Sequence, residues 1–166
     1  MELKNQGVKL FQGRDTNGAQ KTMGEALDEM TKIKSPNQES KTLQGNICQN
    51  MALVYKQTDD FTNSLKMSEK ALEADSTNWK AMTNKADIKS NFIHKLKGAS
   101  TALEDLVIAY RESLKSCEEA YSAPKADKKS IDPIKHKILL KLAQVSKDPE
   151  EQMKAASDAC QMSVDQ

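Results

Sequence analysis

Residues 45–78 have the sequence GNICQNMALVYKQTDDFTNSLKMSEKALEADSTN. Apolar side chains recur in this stretch at steps of three and four residues, first through Ile47, Met51 and Val54 and then in a second run after residue 60. That spacing is typical of amphipathic helices. Because the polar residues 58–60 interrupt the pattern, we expect two helices joined by a short turn.

Small residues stand where these two helices would cross. They are Ala52 in the first helix and Ser64, Ser68 and Ala71 in the second. Small side chains let the helices of a pair approach closely before the pair stacks on its neighbour. A similar order of small and apolar residues occurs upstream at Gly7, Leu10, Ala19, Met23, Ala26 and Leu27, and a third copy begins at Trp79 with Ala86 at the small position.

This order resembles the tetratricopeptide repeat, a helix–turn–helix unit with a period of about 34 residues. The resemblance implies an all-α fold of three such repeats in a right-handed superhelix, followed by C-terminal capping helices. The expected ranges are 1–34, 45–78 and 79–121, with an extended helix or linker over 35–44 and a helical extension over 122–166. A generic helical bundle is the alternative.

Beyond the clear repeats, we expect one long helix from about residue 95 to 121. Asp132-Pro133 and Asp148-Pro149 each fit a helix cap followed by a first-turn proline, so they predict two further helix starts. The total is about eight antiparallel helices. The apolar face that begins at Ile134 should cover the open end of the third repeat, because a terminal repeat otherwise exposes its apolar side.

The connection between the first two repeats is about eleven residues longer than the period allows. That extension, followed by NICQNMALVYKQTDDF, is similar to the repeat domains of immunophilin-type co-chaperones. Members of that group bind the acidic Glu-Glu-Val-Asp tail of cytosolic heat-shock chaperones. The resemblance therefore implies a non-enzymatic module that binds an acidic C-terminal peptide in its concave groove.

Groove positions follow from the repeat frame, because the first helix of each pair lines the concave surface and residues three or four apart share one face. The predicted groove residues are Lys4, Asn5 and Val8 in repeat one, Asn46, Gln49, Asn50 and Leu53 in repeat two, and Lys80, Thr83, Asn84 and Asp87 in repeat three.

The co-chaperones hold the tail's carboxylates with lysine and asparagine side chains. Lys4, Asn50 and Lys80 match that pattern, since ammonium and amide groups can donate hydrogen bonds to carboxylates. Val8 stands where an asparagine is expected and Asn84 where a cation is expected. Asp87 would also repel an acidic ligand. We therefore expect weak tail binding; the alternatives are an adaptor that assembles another complex without this clamp, and groove side chains that are merely solvated.

Composition excludes several other classes. The chain has 166 residues, a net charge of +1 and three cysteines without metal-ligand spacing. No apolar stretch reaches the roughly 20 residues that a membrane-spanning helix needs, and the N-terminus lacks a signal-peptide core. We expect no membrane association, buried free thiols in a reducing compartment, and hence a cytoplasmic or nuclear protein of undetermined oligomeric state.

Catalytic and cofactor motifs are missing from the sequence, so we expect no enzyme, no cofactor and no metal site. A fragment of an immunophilin whose isomerase domain lies outside this chain remains an alternative. Residues 125–141 carry six lysines against two aspartates, a local charge of +4, and residues 148–166 have a charge of −4. We expect these neighbouring helices to neutralise each other. No nucleic-acid binding is expected, because the basic segment lacks an aromatic residue for base stacking.

Overall fold

The computed structural model describes residues 2–98 and 100–164. Within these stretches it contains nine α-helices and no β-strand, which confirms the predicted all-α class. The helices are α1 (Glu2–Gln12), α2 (Thr16–Thr31), α3 (Gln38–Gln57), α4 (Phe61–Ala74), α5 (Trp79–Asn91), α6 (Ile93–Lys97), α7 (Leu103–Ser122), α8 (Lys128–Val145) and α9 (Pro149–Val164).

Two compact units make up the chain, Met1–Asn84 and Lys85–Gln166, and their boundary lies inside α5. The predicted repeat ranges and the predicted domain boundary at residue 121 stay predictions. In the 35–44 segment, α3 begins at Gln38, so most of that segment is helical and continuous with the rest of α3.

In the first unit, α1 packs against α2, α2 against α3, and α3 against α4, and α1 also contacts α3. The core between these helices is built from small and flexible apolar side chains. Its buried members are Ala19, Met23, Ala26, Ile47, Met51, Ala52, Val54 and Met67. Consecutive helices therefore form two hairpins, and the second helix of the first hairpin packs on the first helix of the next.

Polar caps define three helix starts in this unit. The side chains of Asp15, Asn37 and Asp60 each accept a hydrogen bond from the backbone N–H three residues later, at 2.8, 2.9 and 3.0 Å. Such caps satisfy backbone donors that have no partner within the helix. The predicted break at residues 58–60 is confirmed, with Asp59 in the left-handed region at φ 59°.

In both hairpins the two helices approach each other closely at a position where a small residue was predicted. The Ser64 hydroxyl donates a 2.6 Å hydrogen bond to the carbonyl of Ala52, which joins α4 directly to the α3 backbone. In the first hairpin, a Cβ atom added to Gly7 would lie 2.6 Å from Cγ of Met23. Each helix pair thus has a contact that only a small side chain permits.

The second unit is organised around α8, which packs against both α7 and α9. Tyr110 and Cys117 of α7 are buried, as are Ile138 and Leu142 of α8. The α5 segment of this unit is joined to α8 through Lys141, whose ammonium group donates to the Ser90 carbonyl at 2.9 Å.

Two predicted boundaries in this unit are wrong. The helix expected from about residue 95 is divided into α6 and α7, because Gly98 has φ +98° and ends α6. The helix expected at Asp132-Pro133 begins earlier, at Lys128, so Pro133 lies inside α8. Since Ile131 is fully buried, the helix must extend back beyond the proline to bury it.

Asp132 consequently does not cap a helix; its carboxylate accepts a hydrogen bond from the Tyr121 hydroxyl instead. The last predicted start is confirmed, because α9 begins at Pro149 and the Glu150 N–H donates to the Asp148 carboxylate at 3.0 Å. The three cysteines are free, as predicted, but only Cys48 and Cys117 are buried, whereas Cys160 is exposed.

Candidate functional site

The predicted groove residues lie on three helices. Lys4, Asn5 and Val8 are on α1, the four residues from Asn46 to Leu53 are on α3, and Lys80, Thr83 and Asn84 are on the part of α5 that belongs to the first unit. Because α1 and α3 are in contact, the candidates on those two helices belong to neighbouring surfaces.

Lys4, Asn50 and Lys80 are the three residues that match the carboxylate-binding pattern. Lys4 and Asn50 are half-buried and Lys80 is exposed. In the described part of the chain, none of the three side chains takes part in a hydrogen bond or ion pair; the Lys80 ammonium lies 5.5 Å from the centroid of the Trp79 ring. Their donors are therefore free to bind a ligand.

Asn84 is placed differently from the sequence expectation. It is only 4% exposed, and its amide nitrogen donates to the Ser68 hydroxyl at 2.9 Å, with the Ser64 hydroxyl at 3.4 Å. Its side chain thus belongs to the packing between α5 and α4. The carbonyl oxygen of the same amide is buried without a partner among the described residues. This position therefore does not present a donor to an external ligand.

Other candidates also serve the interior of the unit. Val8 packs against the core cluster of the first unit, and Gln49 and Thr83 are buried. The Thr83 hydroxyl donates to the Trp79 carbonyl one turn earlier, at 2.7 Å. By contrast, Asn5 is exposed, and Asn46 and Leu53 are half-buried.

Asp87, expected to repel an acidic ligand, lies in the second unit. Its carboxylate accepts a hydrogen bond from the Asn91 amide one turn later on α5. The structure therefore gives this aspartate a local partner along its own helix.

Lys4 also borders a cavity of about 260 Å³ between α1, α2 and α3. Its lining is mainly apolar and consists of Leu3, Ala26, Met30, Leu43 and Ile47. Two acidic residues, Glu2 and Glu29, complete it. An aliphatic group beside the Lys4 ammonium would find an apolar surface here.

Sequence reasoning missed a second cavity in the first unit, of about 340 Å³, where α2, α3 and α4 meet. Lys41 and Lys70 are at its edge, and Cys48 lies at its wall. Burial raises the pKa of the Cys48 thiol to about 11, so the thiol is protonated at neutral pH. No sequence signal marks this cavity, because its lysines look like ordinary surface residues.

No family model matches the chain, and no curated protein matches it. Among the described helices, none combines the length and the apolar character needed to cross a bilayer. Within the same residues, no group of three His, Cys, Asp or Glu side chains could hold a metal ion. Any assignment of function therefore depends on the helix pairs and on the unpartnered donors of the first unit.

Proposed function

We propose that this chain is a helical-repeat module of the tetratricopeptide type, with three repeats forming a right-handed superhelix. The spacing of the buried positions supports this proposal. Ala19, Met23 and Ala26 in α2 correspond to Ser64, Ser68 and Ala71 in α4, each 45 residues later. All six residues are buried. The separation equals one repeat period of about 34 residues plus the eleven-residue extension.

The close contacts occur at equivalent places too. Gly7 in α1 and Ala52 in α3 are also 45 residues apart, and each lies against the second helix of its own hairpin. Two hairpins that repeat both their buried positions and their crossing points are better explained by a repeat array than by a generic bundle.

Its proposed function is non-enzymatic binding of an acidic C-terminal peptide, such as the tail of a heat-shock chaperone, as in a cytoplasmic co-chaperone. The observation that carries this proposal is a set of three donors without a hydrogen-bond or ion-pair partner among the described residues: Lys4, Asn50 and Lys80, one on the first helix of each pair. A charged side chain held in a repeat array without an intramolecular partner is available for a carboxylate.

Binding should be weak because two donors of the full pattern are lost. Val8 packs into the core and Asn84 bonds to Ser68, so neither reaches a ligand. Each missing charge-assisted hydrogen bond removes about 1.5–3 kcal/mol, which is roughly a tenfold to hundredfold loss of affinity. A cation introduced at residue 84 would not restore the site, because it would be buried beside Ser64 and Ser68.

A titration with a peptide ending in Glu-Glu-Val-Asp, followed by calorimetry, tests the proposal. The free-acid peptide should bind, the C-terminally amidated peptide should bind more weakly, and added salt should weaken both, because partly exposed charges are screened. Lys80→Glu should abolish binding. Lys66→Glu, an exposed lysine on α4 with the same charge change, should leave it intact.

The second candidate function is an adaptor that assembles a different complex without a carboxylate clamp. The buried position of Asn84 favours it, since the third repeat then offers Lys80 alone. Failure of the free-acid peptide to bind at millimolar concentration would exclude the first candidate and leave this one.

A further inference from the structure

The basic segment of residues 125–141 packs against an acidic helix, but its charges are not paired with that helix among the described residues. Its local charge is +4, and α9, which carries most of the nearby acids, packs directly against α8. Even so, no ion pair joins a lysine of α8 to an acid of α9 in the described part of the chain. The expected neutralisation between these helices is therefore not made by direct pairing.

Three of the acids close to α8 are hydrogen-bonded to other groups. Glu151 of α9 accepts two hydrogen bonds from the Arg111 guanidinium, at 2.6 and 2.9 Å. Within the basic segment, Asp127 accepts from the Ser130 hydroxyl at 2.6 Å and Asp132 from the Tyr121 hydroxyl. Neutral hydroxyl groups thus hold both aspartates, which form no ion pair with a lysine of the segment among the described residues, and the segment keeps its net charge of +4.

One face of α8 presents two of these six lysines to solvent. Its exposed residues recur at steps of four and three along the helix, and we call them the α8 basic face: Lys129, Pro133, Lys137, Leu140 and Gln144. Leu140 is 45% exposed although the leucine beside it, Leu139, is buried. An apolar side chain is therefore displayed one turn after Lys137 on the same face of a well-packed helix.

The chemistry of this face limits its partner. The face offers no platform for base stacking, because α8 contains no Phe, Tyr or Trp and the ammonium groups of Lys128 and Lys135 lie 5.3 and 5.4 Å from the ring centroid of the neighbouring Tyr121. A membrane surface requires a broad apolar face on the helix, and a single exposed leucine does not provide one. An acidic protein segment requires only cations and a small apolar contact.

We propose that the α8 basic face binds an acidic protein segment, with glutamate or aspartate side chains on Lys129 and Lys137 and one aliphatic side chain against Leu140. Complementary charge provides orientation and a fast association, and the apolar contact beside Lys137 adds affinity. This surface is separate from the Lys4, Asn50 and Lys80 donors, so the segment need not end in a free carboxylate.

The test uses a fluorescein-labelled peptide with one leucine between pairs of glutamates and an amidated C-terminus, measured by fluorescence anisotropy on the full chain. The amide removes the terminal carboxylate, so the proposed clamp is not being measured. The peptide should bind saturably. The double variant Lys129→Glu/Lys137→Glu should weaken binding by about tenfold or more, since both attractive charges become repulsive.

The matched control is Lys21→Glu/Lys66→Glu, two exposed lysines of the first unit with the same total charge change. It should alter binding far less. Leu140→Ser should weaken binding several-fold, whereas Met153→Ser, at a more exposed apolar residue of α9, should not. Equal losses in both lysine pairs would overturn the proposal, as would tighter binding of an oligothymidylate or of anionic lipid vesicles than of the peptide.

Discussion

Gly45 tests the close approach of α3 to the end of α4. A Cβ atom added at this position would lie 3.0 Å from Cβ of Asp75 and 3.1 Å from the carbonyl oxygen of Ala71. Neither atom is the far end of a flexible side chain, so the helices themselves must shift. Gly24 in α2 provides the comparison, because nothing lies within 4 Å of its added Cβ.

The two substitutions to alanine should have opposite effects. Alanine is favoured over glycine inside a helix by about 0.5–1 kcal/mol, and this gain applies at both positions. Overpacking of a close contact costs about 1–3 kcal/mol, and this cost applies only at Gly45. Gly24→Ala should therefore stabilise the protein, and Gly45→Ala should be about 1–3 kcal/mol less stable than Gly24→Ala.

Urea unfolding followed by far-ultraviolet circular dichroism measures both free energies of unfolding under identical conditions. The difference between the variants isolates the steric cost, because the change in helix propensity is common to both. If both variants were stabilised equally, α3 would not approach the end of α4 as closely as the structure has it.

Three further predictions concern the second unit. Deletion of residues 131–166 removes the helices that cover α7, so the shortened chain should self-associate in sedimentation experiments; a monomer of unchanged stability would contradict this role. The hydrogen bonds from Arg111 lower the pKa of Glu151. The pair therefore stabilises the fold at pH values above the usual carboxyl pKa, and this stabilisation is lost as the pH falls through the lowered pKa of Glu151. Arg111→Met should therefore reduce stability at neutral pH and not in strong acid, and an equal loss at every pH would refute this. Cys160 is exposed and should react at once with a chromogenic disulfide reagent. Burial raises the pKa of the Cys48 thiol to about 11 and that of the Cys117 thiol to about 12, so these two thiols should react only on unfolding. Equal reaction rates for all three cysteines would contradict the burial.

Local signals in the sequence predicted the helices of the first unit well. Apolar spacing and polar caps such as Asp60 act within a few residues, so they can be recognised without a structure. The same holds for the start of α9 at Asp148 and Pro149. Asp132-Pro133 misled the prediction, because the burial of Ile131 in the second unit outweighs a local capping preference.

The candidate site was less predictable, since a helical register gives the direction of a side chain only approximately. Asn84 shares its register with groove residues, yet hydrogen bonding to Ser68 draws its amide into the interior. The free charge of the α8 basic face was also hidden, because net charges of opposite sign on adjacent helices do not reveal which groups pair. Such pairings depend on distances between helices that sequence spacing does not contain.

The central claim is that Lys4, Asn50 and Lys80 receive the terminal carboxylate of an acidic peptide. Its most direct test is a nuclear magnetic resonance titration of the labelled chain with a peptide ending in Glu-Glu-Val-Asp, observing the side-chain amide signals of asparagine. The account predicts a saturable shift of the Asn50 amide signals, a much smaller one for the buried Asn84 amide, and clearly smaller shifts with the amidated peptide at the same concentration. Unchanged Asn50 signals at millimolar peptide, or shifts that are equally large after amidation, would contradict it.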